Sequence, residues 1–133
     1  MEQSYREIKK MDLVKLTTYI YILFFIYAGI NHFRHPYFYD SIVPSYIPFP
    51  RATHLLVGIL EVIIPLFLLT KYRSLAAIVM IVFIIILYLG NLHVWINNLP
   101  YGKNYYSNAQ HTVRLILQIV LIYITYIIYK YGY

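Results

Sequence analysis

One part of the sequence constrains the fold more than any other: residues 55–70 form an apolar run interrupted by a single carboxylate, Glu61. The run is long enough to enter a bilayer and too apolar for a surface helix. A lone acid at that depth costs roughly 2.5–3.5 kcal/mol unless it takes up a proton or finds partners. The sequence therefore predicts a membrane bundle in which Glu61 meets other polar side chains.

The composition indicates that lipid is the solvent for much of the surface. Of the 133 residues, 61% are hydrophobic and 12% are charged, whereas soluble domains are about 25% charged. Cysteine is absent, so disulfides, thiolate metal sites and cysteine nucleophiles are excluded. The 11 cations behind the net charge of +6 are dispersed between apolar runs, so we expect no nucleic-acid binding.

Four apolar runs predict an all-α fold, a transmembrane four-helix bundle that forms a single integral membrane domain. The predicted spans are about residues 13–33, 54–70, 74–96 and 111–129, close to the roughly 20 residues that a crossing helix needs. The charged residues 1–12 are expected to be a short interfacial tail. A signal peptide is the alternative for the first run, but no small-x-small cleavage site ends it and three more runs follow.

The segment between the first two spans, residues 34–53, is rich in proline and aromatic residues and is called the cap. Pro36 favours a short interfacial helix at its start. Thr53 is the expected N-cap of the second span, and Pro65 is expected to kink that span. Three further prolines prevent a continuing helix and stiffen an extended segment: Pro44, Pro48 and Pro50.

The cations also predict an orientation. With four crossings, both termini and the turn at Lys71 share one side, which holds seven of the 11 cations. The positive-inside rule then places both termini in the cytoplasm of a multi-pass protein in the cell membrane. The cap and the Asn-rich loop of residues 97–110 face outward.

The four spans bring one polar end each to the outward side. His111, Arg114 and Gln118 are spaced i, i+3, i+7 and form one stripe, which lipid cannot satisfy and which should point inward. Asn91 and His93 lie near the outer end of the third span, and His32 lies at the end of the first. We expect Arg114 to pair with Glu61, with Asn91, Gln118 and a histidine completing the hydrogen bonds. The alternative is that these groups only fix helix register.

Other kinds of site find less support. The five histidines match neither HExxH nor a close-spaced ligand cluster, so we expect no metal. His35 precedes a proline in the cap, and His54 is expected at the interface. No catalytic arrangement is visible, because four acids have no expected partner: Glu2, Glu7, Asp12 and Asp40. Three glycines are expected at close helix contacts: Gly29, Gly58 and Gly90.

Between residues 28 and 126, the order and spacing of several short motifs resemble those of the DoxX-type small membrane proteins. The motifs are Ala28-Gly29-x-x-His32-Phe33, Pro36, Phe38, Ile42-Val43-Pro44, Tyr46-Ile47-Pro48, Pro50, Gly58-x-x-Glu61, Asn91, Arg114 and Gln118. The resemblance implies a four-helix membrane bundle linked either to quinone oxidoreductases and redox complexes or to assembly of other membrane proteins. Five residues match the polar positions of that family: His32, Glu61, Asn91, Arg114 and Gln118.

The leading hypothesis is an outward polar pocket that binds a quinone-like or other lipidic small molecule as an accessory to a membrane redox system. The expected ligand-binding residues are His32, Glu61, Asn91, His93, Arg114 and Gln118. No flavin, haem or iron–sulfur motif is present, so an electron carrier would belong to a partner. The second hypothesis is an interaction or assembly-chaperone protein, in which the cap docks a membrane partner or a second copy and the polar network is structural. A small permease ranks last, because no inverted repeat is visible.

Overall fold

The computed structural model describes residues 1–132, and within them it contains five α-helices and one 3₁₀ turn but no strand. Four of the helices are long: α1 (Glu2–Arg34), α3 (Pro50–Leu66), α4 (Arg73–Ile96) and α5 (Asn108–Tyr131). The short helix α2 (Pro36–Asp40) lies in the cap, and the 3₁₀ turn Phe67–Leu69 extends α3. Each long helix, with that extension of α3, is long and apolar enough to cross a membrane. The predicted all-α four-helix fold with a short helix in the cap is therefore confirmed.

The long helices form a bundle in which α1 packs mainly on α3 and α4 mainly on α5. Lys10 Nζ lies 4.0 Å from the centre of the Tyr131 ring, which brings the start of α1 beside the end of α5. Arg73 donates a 2.8 Å hydrogen bond to the Ile128 carbonyl, which adds the α3–α4 turn to the same end. We call this the inner end. The outer end carries the cap and the loop before α5.

The inner half of the bundle contains the tightly packed core. Most of its fully buried side chains are apolar, among them Ala77, Met80 and Ile128. One polar pair lies among them: the Tyr21 hydroxyl is 2.7 Å from Thr125 Oγ1, and Thr125 donates to the Leu121 carbonyl at 2.7 Å. Every polar group of this pair has a partner. Most side chains on the outside of the spans are exposed and apolar, as a lipid-facing surface requires.

Two helix starts differ from the prediction. The first helix begins at Glu2, so the exposed residues 1–12 continue α1 rather than form a separate tail. The second span begins at Pro50 and not at Thr53, with Phe49 at the N-cap in a left-handed conformation (φ 53°). Proline fits the first helical position because its fixed φ is helical and it lacks an N–H that would remain unpaired. The Thr53 hydroxyl instead donates to the Pro48 carbonyl at 3.2 Å.

Two helix ends show how proline and serine shape the spans. After Pro65, α3 ends at Leu66 and the chain tightens into the 3₁₀ turn, as expected for a residue that cannot donate to the helix ladder. The last helix begins three residues earlier than predicted. Its N-cap is Ser107, which accepts from the Gln110 amide at 3.2 Å while the Gln110 side chain accepts from the Ser107 amide at 2.8 Å. This reciprocal capping box satisfies two helix-end donors.

The glycines set the closest backbone approaches. A methyl group on Gly29 would collide with the Gly58 carbonyl, and one on Gly58 would lie 2.8 Å from the Gly29 carbonyl. Helices α1 and α3 therefore cross at these two glycines, which confirms the expected close helix contacts at Gly29 and Gly58. Gly90 also makes a close contact, but with the cap: a methyl there would lie 2.9 Å from Ile42 Cγ2.

Candidate functional site

The outer half of the bundle encloses a cavity of about 430 Å³ beneath the cap. Small-molecule sites commonly have volumes of about 300–1,000 Å³. All four long helices contribute to its walls, and the cap supplies Tyr39, residues 42–44, Tyr46 and Ile47. Ile86 and Leu89 also line it although 56% and 55% of their surfaces are exposed, so the cavity reaches the lipid-facing side of the bundle. Its polar residues are His32, Tyr39, Tyr46, Thr53, His54, Glu61, Asn91, Arg114 and Gln118.

The glycine crossing places an acid beside a base on one wall. His32 follows Gly29 by three residues, and Glu61 follows Gly58 by three, so each lies about one turn from the crossing. His32 Nε2 is 3.3 Å from Glu61 Oε2, and both side chains are more than nine-tenths buried. The pair therefore faces the cavity from α1 and α3.

A chain of polar contacts leads from this pair to the outer surface. His32 Nδ1 lies 3.4 Å from His54 Nδ1, and His54 Nε2 lies 2.8 Å from Asp40 Oδ1. Asp40 also accepts two hydrogen bonds from Arg51, at 2.9 and 2.8 Å. The Tyr39 ring stacks on the His32 ring with centroids 3.8 Å apart, which holds the first imidazole in place.

Asp40 fixes the cap to the start of α3. The hydrogen bonds from Arg51 hold the pKa of this carboxyl below its usual value, and the contact with His54 acts in the same direction. The side chains of Arg51 and Asp40 are 48% and 30% exposed, so this end of the chain of contacts is open to water.

The opposite wall is organised around Arg114. Its Nη2 donates to Asn91 Oδ1 at 3.0 Å, and the Tyr101 hydroxyl donates to the same oxygen at 2.8 Å. The guanidinium lies 4.6 Å from the centre of the Tyr101 ring, a cation–π contact. Burial raises the pKa of Tyr101, so it remains a neutral donor.

The predicted pairing of Arg114 with Glu61 is wrong. Within residues 1–132, His32 is the only basic group within 4 Å of the Glu61 carboxylate, and Arg114 is held by Asn91 and Tyr101. The physical reason is that the cap closes over the outer end and brings Tyr101 and its loop beside Arg114. That local partner satisfies the guanidinium without crossing the cavity.

Five of the six predicted ligand residues line the same cavity: His32, Glu61, Asn91, Arg114 and Gln118. His93 does not line it. The centres of the His93 and Tyr46 rings are 6.3 Å apart, and His93 Nδ1 lies 3.2 Å from Asn97 Nδ2. His111 is buried against Trp95, with parallel rings 5.3 Å apart. The stripe on α5 therefore divides, and Arg114 and Gln118 alone reach the cavity.

Several polar atoms of this region lack a hydrogen-bond partner among the described residues. Glu61 Oε2 and Arg114 Nε are buried without one, since the Glu61–His32 approach lacks hydrogen-bond geometry. Gln118 is half-buried on the cavity wall and its amide also bonds to no described residue. Buried polar groups are almost always satisfied in proteins, so unpaired donors and acceptors on facing walls indicate a place for a bound molecule.

The sequence did not reveal three residues of this site. His54 was expected at the interface, Asp40 was expected without a partner, and Tyr39 was not singled out. Their spacing carried a weak signal: Asp40 and Arg51 are opposite charges at the two ends of a short proline-rich segment. Glu2, also expected without a partner, forms an exposed ion pair with Arg6 at 2.7 Å.

The described residues contain no group of three His, Cys, Asp or Glu side chains placed to hold a metal ion. The donors that face the cavity are instead suited to hydrogen-bonding an uncharged or anionic oxygen. Residues 22–129 match the family model described as "Domain of unknown function (DUF8561)". No curated protein and no solved structure matches the chain.

Proposed function

The chain belongs to the DUF8561 family, whose description assigns no function, so we propose one from the chemistry of the cavity. We propose that it is a membrane protein that binds a quinone-like, lipidic small molecule beneath its cap and presents it to a membrane redox system. His32 and Glu61 line one side of the bound ring. Asn91, Arg114 and Gln118 hydrogen-bond its oxygens from the other side.

The observation that carries this proposal is the combination of lipid-facing walls with unpaired polar groups. A molecule dissolved in the bilayer would enter beside Ile86 and Leu89 and keep its apolar tail among such side chains. Its polar ring would meet the Gln118 amide and the free Nε of Arg114. A quinone fits this arrangement because its two carbonyl oxygens accept hydrogen bonds at opposite edges of a flat apolar ring.

The electrons are assigned to a partner. The sequence has no cysteine pair and no motif for a flavin, haem or iron–sulfur group, and cofactors of that kind carry electron-transfer chemistry in proteins. The resemblance to DoxX-type proteins remains a prediction and supports the same class of ligand.

The test uses the single tryptophan of the chain as a reporter. Trp95 lies on α4 one turn beyond Asn91, so a quinone in the cavity should quench its fluorescence. We expect saturable quenching when purified protein in nanodiscs is titrated with a short-tailed ubiquinone analogue. Gln118→Leu should weaken binding about tenfold, since one hydrogen bond is worth about 0.5–1.5 kcal/mol.

The matched control is His93→Gln, at the same end of the bundle but outside the cavity lining. It should bind like the unaltered chain. Linear quenching without saturation, or equal weakening by both substitutions, would count against a site in the cavity.

A second function is favoured by a different observation. Three aromatic residues of the cap region, Tyr37, Tyr46 and Phe49, are each 78% exposed. Such a surface suits the headgroup region, but it also suits a protein partner whose assembly the chain assists. In that case a membrane partner would co-purify with the Glu61→Gln variant and be lost after Tyr46→Ser with Phe49→Ser.

The orientation proposed for this function has both termini in the cytoplasm. The cation distribution supports it, with seven cations at the inner end and four at the outer end. Because the chain lacks cysteine, Gln3→Cys and Lys103→Cys each introduce one thiol. In intact cells an impermeant maleimide should label position 103 and not position 3; the reverse pattern would overturn the orientation.

A further inference from the structure

Four side chains that can gain and lose protons lie in series between the cavity and the outer surface. The last two contacts are hydrogen bonds, and the first, between Glu61 and His32, is a close approach that a small rotation of the carboxyl would turn into one. Three successive approaches join four side chains: Glu61 to His32 at 3.3 Å, His32 to His54 at 3.4 Å, and His54 to Asp40 at 2.8 Å. The first three groups are buried and the fourth is partly exposed. We propose that this series is a proton path that exchanges protons between the cavity and the outer surface.

The chemistry balances with neutral histidines. In the starting state Glu61 is protonated, His32 carries its proton on Nδ1, His54 carries its proton on Nε2, and Asp40 is a carboxylate. Glu61 gives its proton to His32 Nε2, His32 Nδ1 gives one to His54 Nδ1, and His54 Nε2 gives one to Asp40. One proton moves outward, each imidazole changes tautomer, and neither becomes charged on completion. Asp40 then releases the proton to water.

Both ring nitrogens of each histidine are used, and this is the strongest geometric support. A histidine that serves only packing needs one hydrogen bond, whereas these two rings are oriented with both nitrogens toward the neighbouring members. The stack of Tyr39 on His32 restrains the first ring. Imidazole suits the task because it gains and loses protons near neutral pH.

The side chains around the path act on its members at both ends. Arg51 binds Asp40 and lowers the pKa of that carboxyl, so the outer member stays ionised and passes a proton on to water rather than keeping it. Tyr39 lies against His32 as a neutral ring, and burial raises the pKa of its hydroxyl. Across the cavity Arg114 is held by Asn91, and His32 is the one basic side chain of residues 1–132 that lies within 4 Å of the Glu61 carboxylate.

The path deepens the proposed function, and its role rests on that function, because reduction of a quinone takes up protons as well as electrons. In that setting the partner would supply the electrons, and Glu61 would supply a proton and be reloaded through His32 and His54. The proton exchange itself does not require a quinone, and it is therefore measurable in the empty protein.

The experiment follows Glu61 by infrared absorption after a rapid pH change, in nanodiscs without added quinone. The band of the protonated carboxyl is assigned by its loss in Glu61→Gln. We expect His54→Gln, which keeps a hydrogen-bonding side chain but cannot relay a proton, to slow exchange about 10²-fold. His54→Ala should be equally slow and should recover when imidazole is added, because free imidazole would occupy the space and relay the proton.

The matched control is His93→Ala, which removes a histidine at the same end of the bundle outside the path. Its exchange rate should equal that of the unaltered chain and should not respond to imidazole. The proposal is overturned if His54→Gln exchanges at the unaltered rate, if imidazole fails to accelerate folded His54→Ala, or if Glu61 does not change protonation while the protein stays folded. Saturable quinone binding with unaltered exchange in His54→Gln would leave the proposed function standing without the path.

Discussion

The core of the inner half and the cavity of the outer half use polar groups in different ways, although Arg73 Nε at the inner end is also buried without a partner in residues 1–132. In the inner half the Tyr21–Thr125 pair is buried among apolar side chains and each hydroxyl has its partner. In the outer half Glu61, Arg114 and Gln118 line a cavity with hydrogen-bonding capacity left over. A polar pair that only joins helices is fully satisfied within the protein. The unspent capacity of the outer half therefore points to a molecule from outside.

The largest expected effect is a loss of stability when the crossing of α1 and α3 at Gly29 and Gly58 is disrupted. Gly29→Leu would drive a side chain into the backbone of α3 at Gly58 and should reduce stability by about 3 kcal/mol. The measurement is unfolding of the purified protein by added SDS in mixed micelles. Ala52→Leu, which adds bulk at an exposed position on α3, should unfold like the unaltered chain. A folded Gly29→Leu variant of normal stability would contradict the close crossing.

A smaller loss of stability is expected when Asn91, whose side-chain oxygen is fully hydrogen-bonded, is replaced. Asn91 Oδ1 accepts from both Arg114 and Tyr101, so Asn91→Leu removes the acceptor shared by a half-buried guanidinium and a buried hydroxyl and should cost about 2 kcal/mol in the same unfolding measurement. Ser74→Leu, at an exposed position on α4, serves as the control and should change stability by less than about 0.5 kcal/mol. Equal effects of the two substitutions would show that Asn91 does not organise the wall.

The most direct comparison of the halves uses two substitutions that each remove a hydrogen-bonding group. Tyr21→Phe deletes a satisfied bond in the inner half and should cost about 0.6 kcal/mol, the average for such bonds between membrane helices. Gln118→Leu removes an amide with no partner among the described residues and should leave stability unchanged or raise it. The contrast between the halves is lost if Gln118→Leu destabilises the protein more than Tyr21→Phe.

The smallest effect concerns the attachment of the cap. The pKa of Asp40 is lowered in the folded protein, so its stabilising contribution is complete above the unfolded value, about 3.9, and is lost as pH falls through the folded value. Hydrogen exchange of cap amides should therefore accelerate, relative to the intrinsic rate, below about pH 3.9. Asp40→Asn should remove this dependence while Glu2→Gln retains it. A cap whose protection is independent of pH in this range would contradict the role of Asp40.

The sequence predicted the bundle well because membrane spans are marked by long apolar runs. The third span was placed within one residue, and the errors arose where a span meets other structure, at the continuous start of α1 and at Pro50. The site was predicted only in part. Polar residues on spans have to face inward, which identified Glu61 and Gln118, but pairing depends on how the cap folds back.

The cap explains the specific failures. Its docking brings Asp40 to His54 and the α4–α5 loop to Arg114, and neither approach has a periodic signal in the sequence. A local partner was then available for Arg114, so it did not need Glu61. Asp40 was passed over because its partner Arg51 lies beyond several prolines, and the path of such a segment is not readable from residue spacing.

The contact between the two glycines has a further consequence for how this protein could change. The close approach of Gly29 and Gly58 sets the spacing of the two backbones, and so of positions 32 and 61 one turn away. Other pairs of residues placed at positions 32 and 61 would start from the same backbone spacing. Natural variation or deliberate redesign could therefore replace the side chains at these two positions while the contact between α1 and α3 is retained.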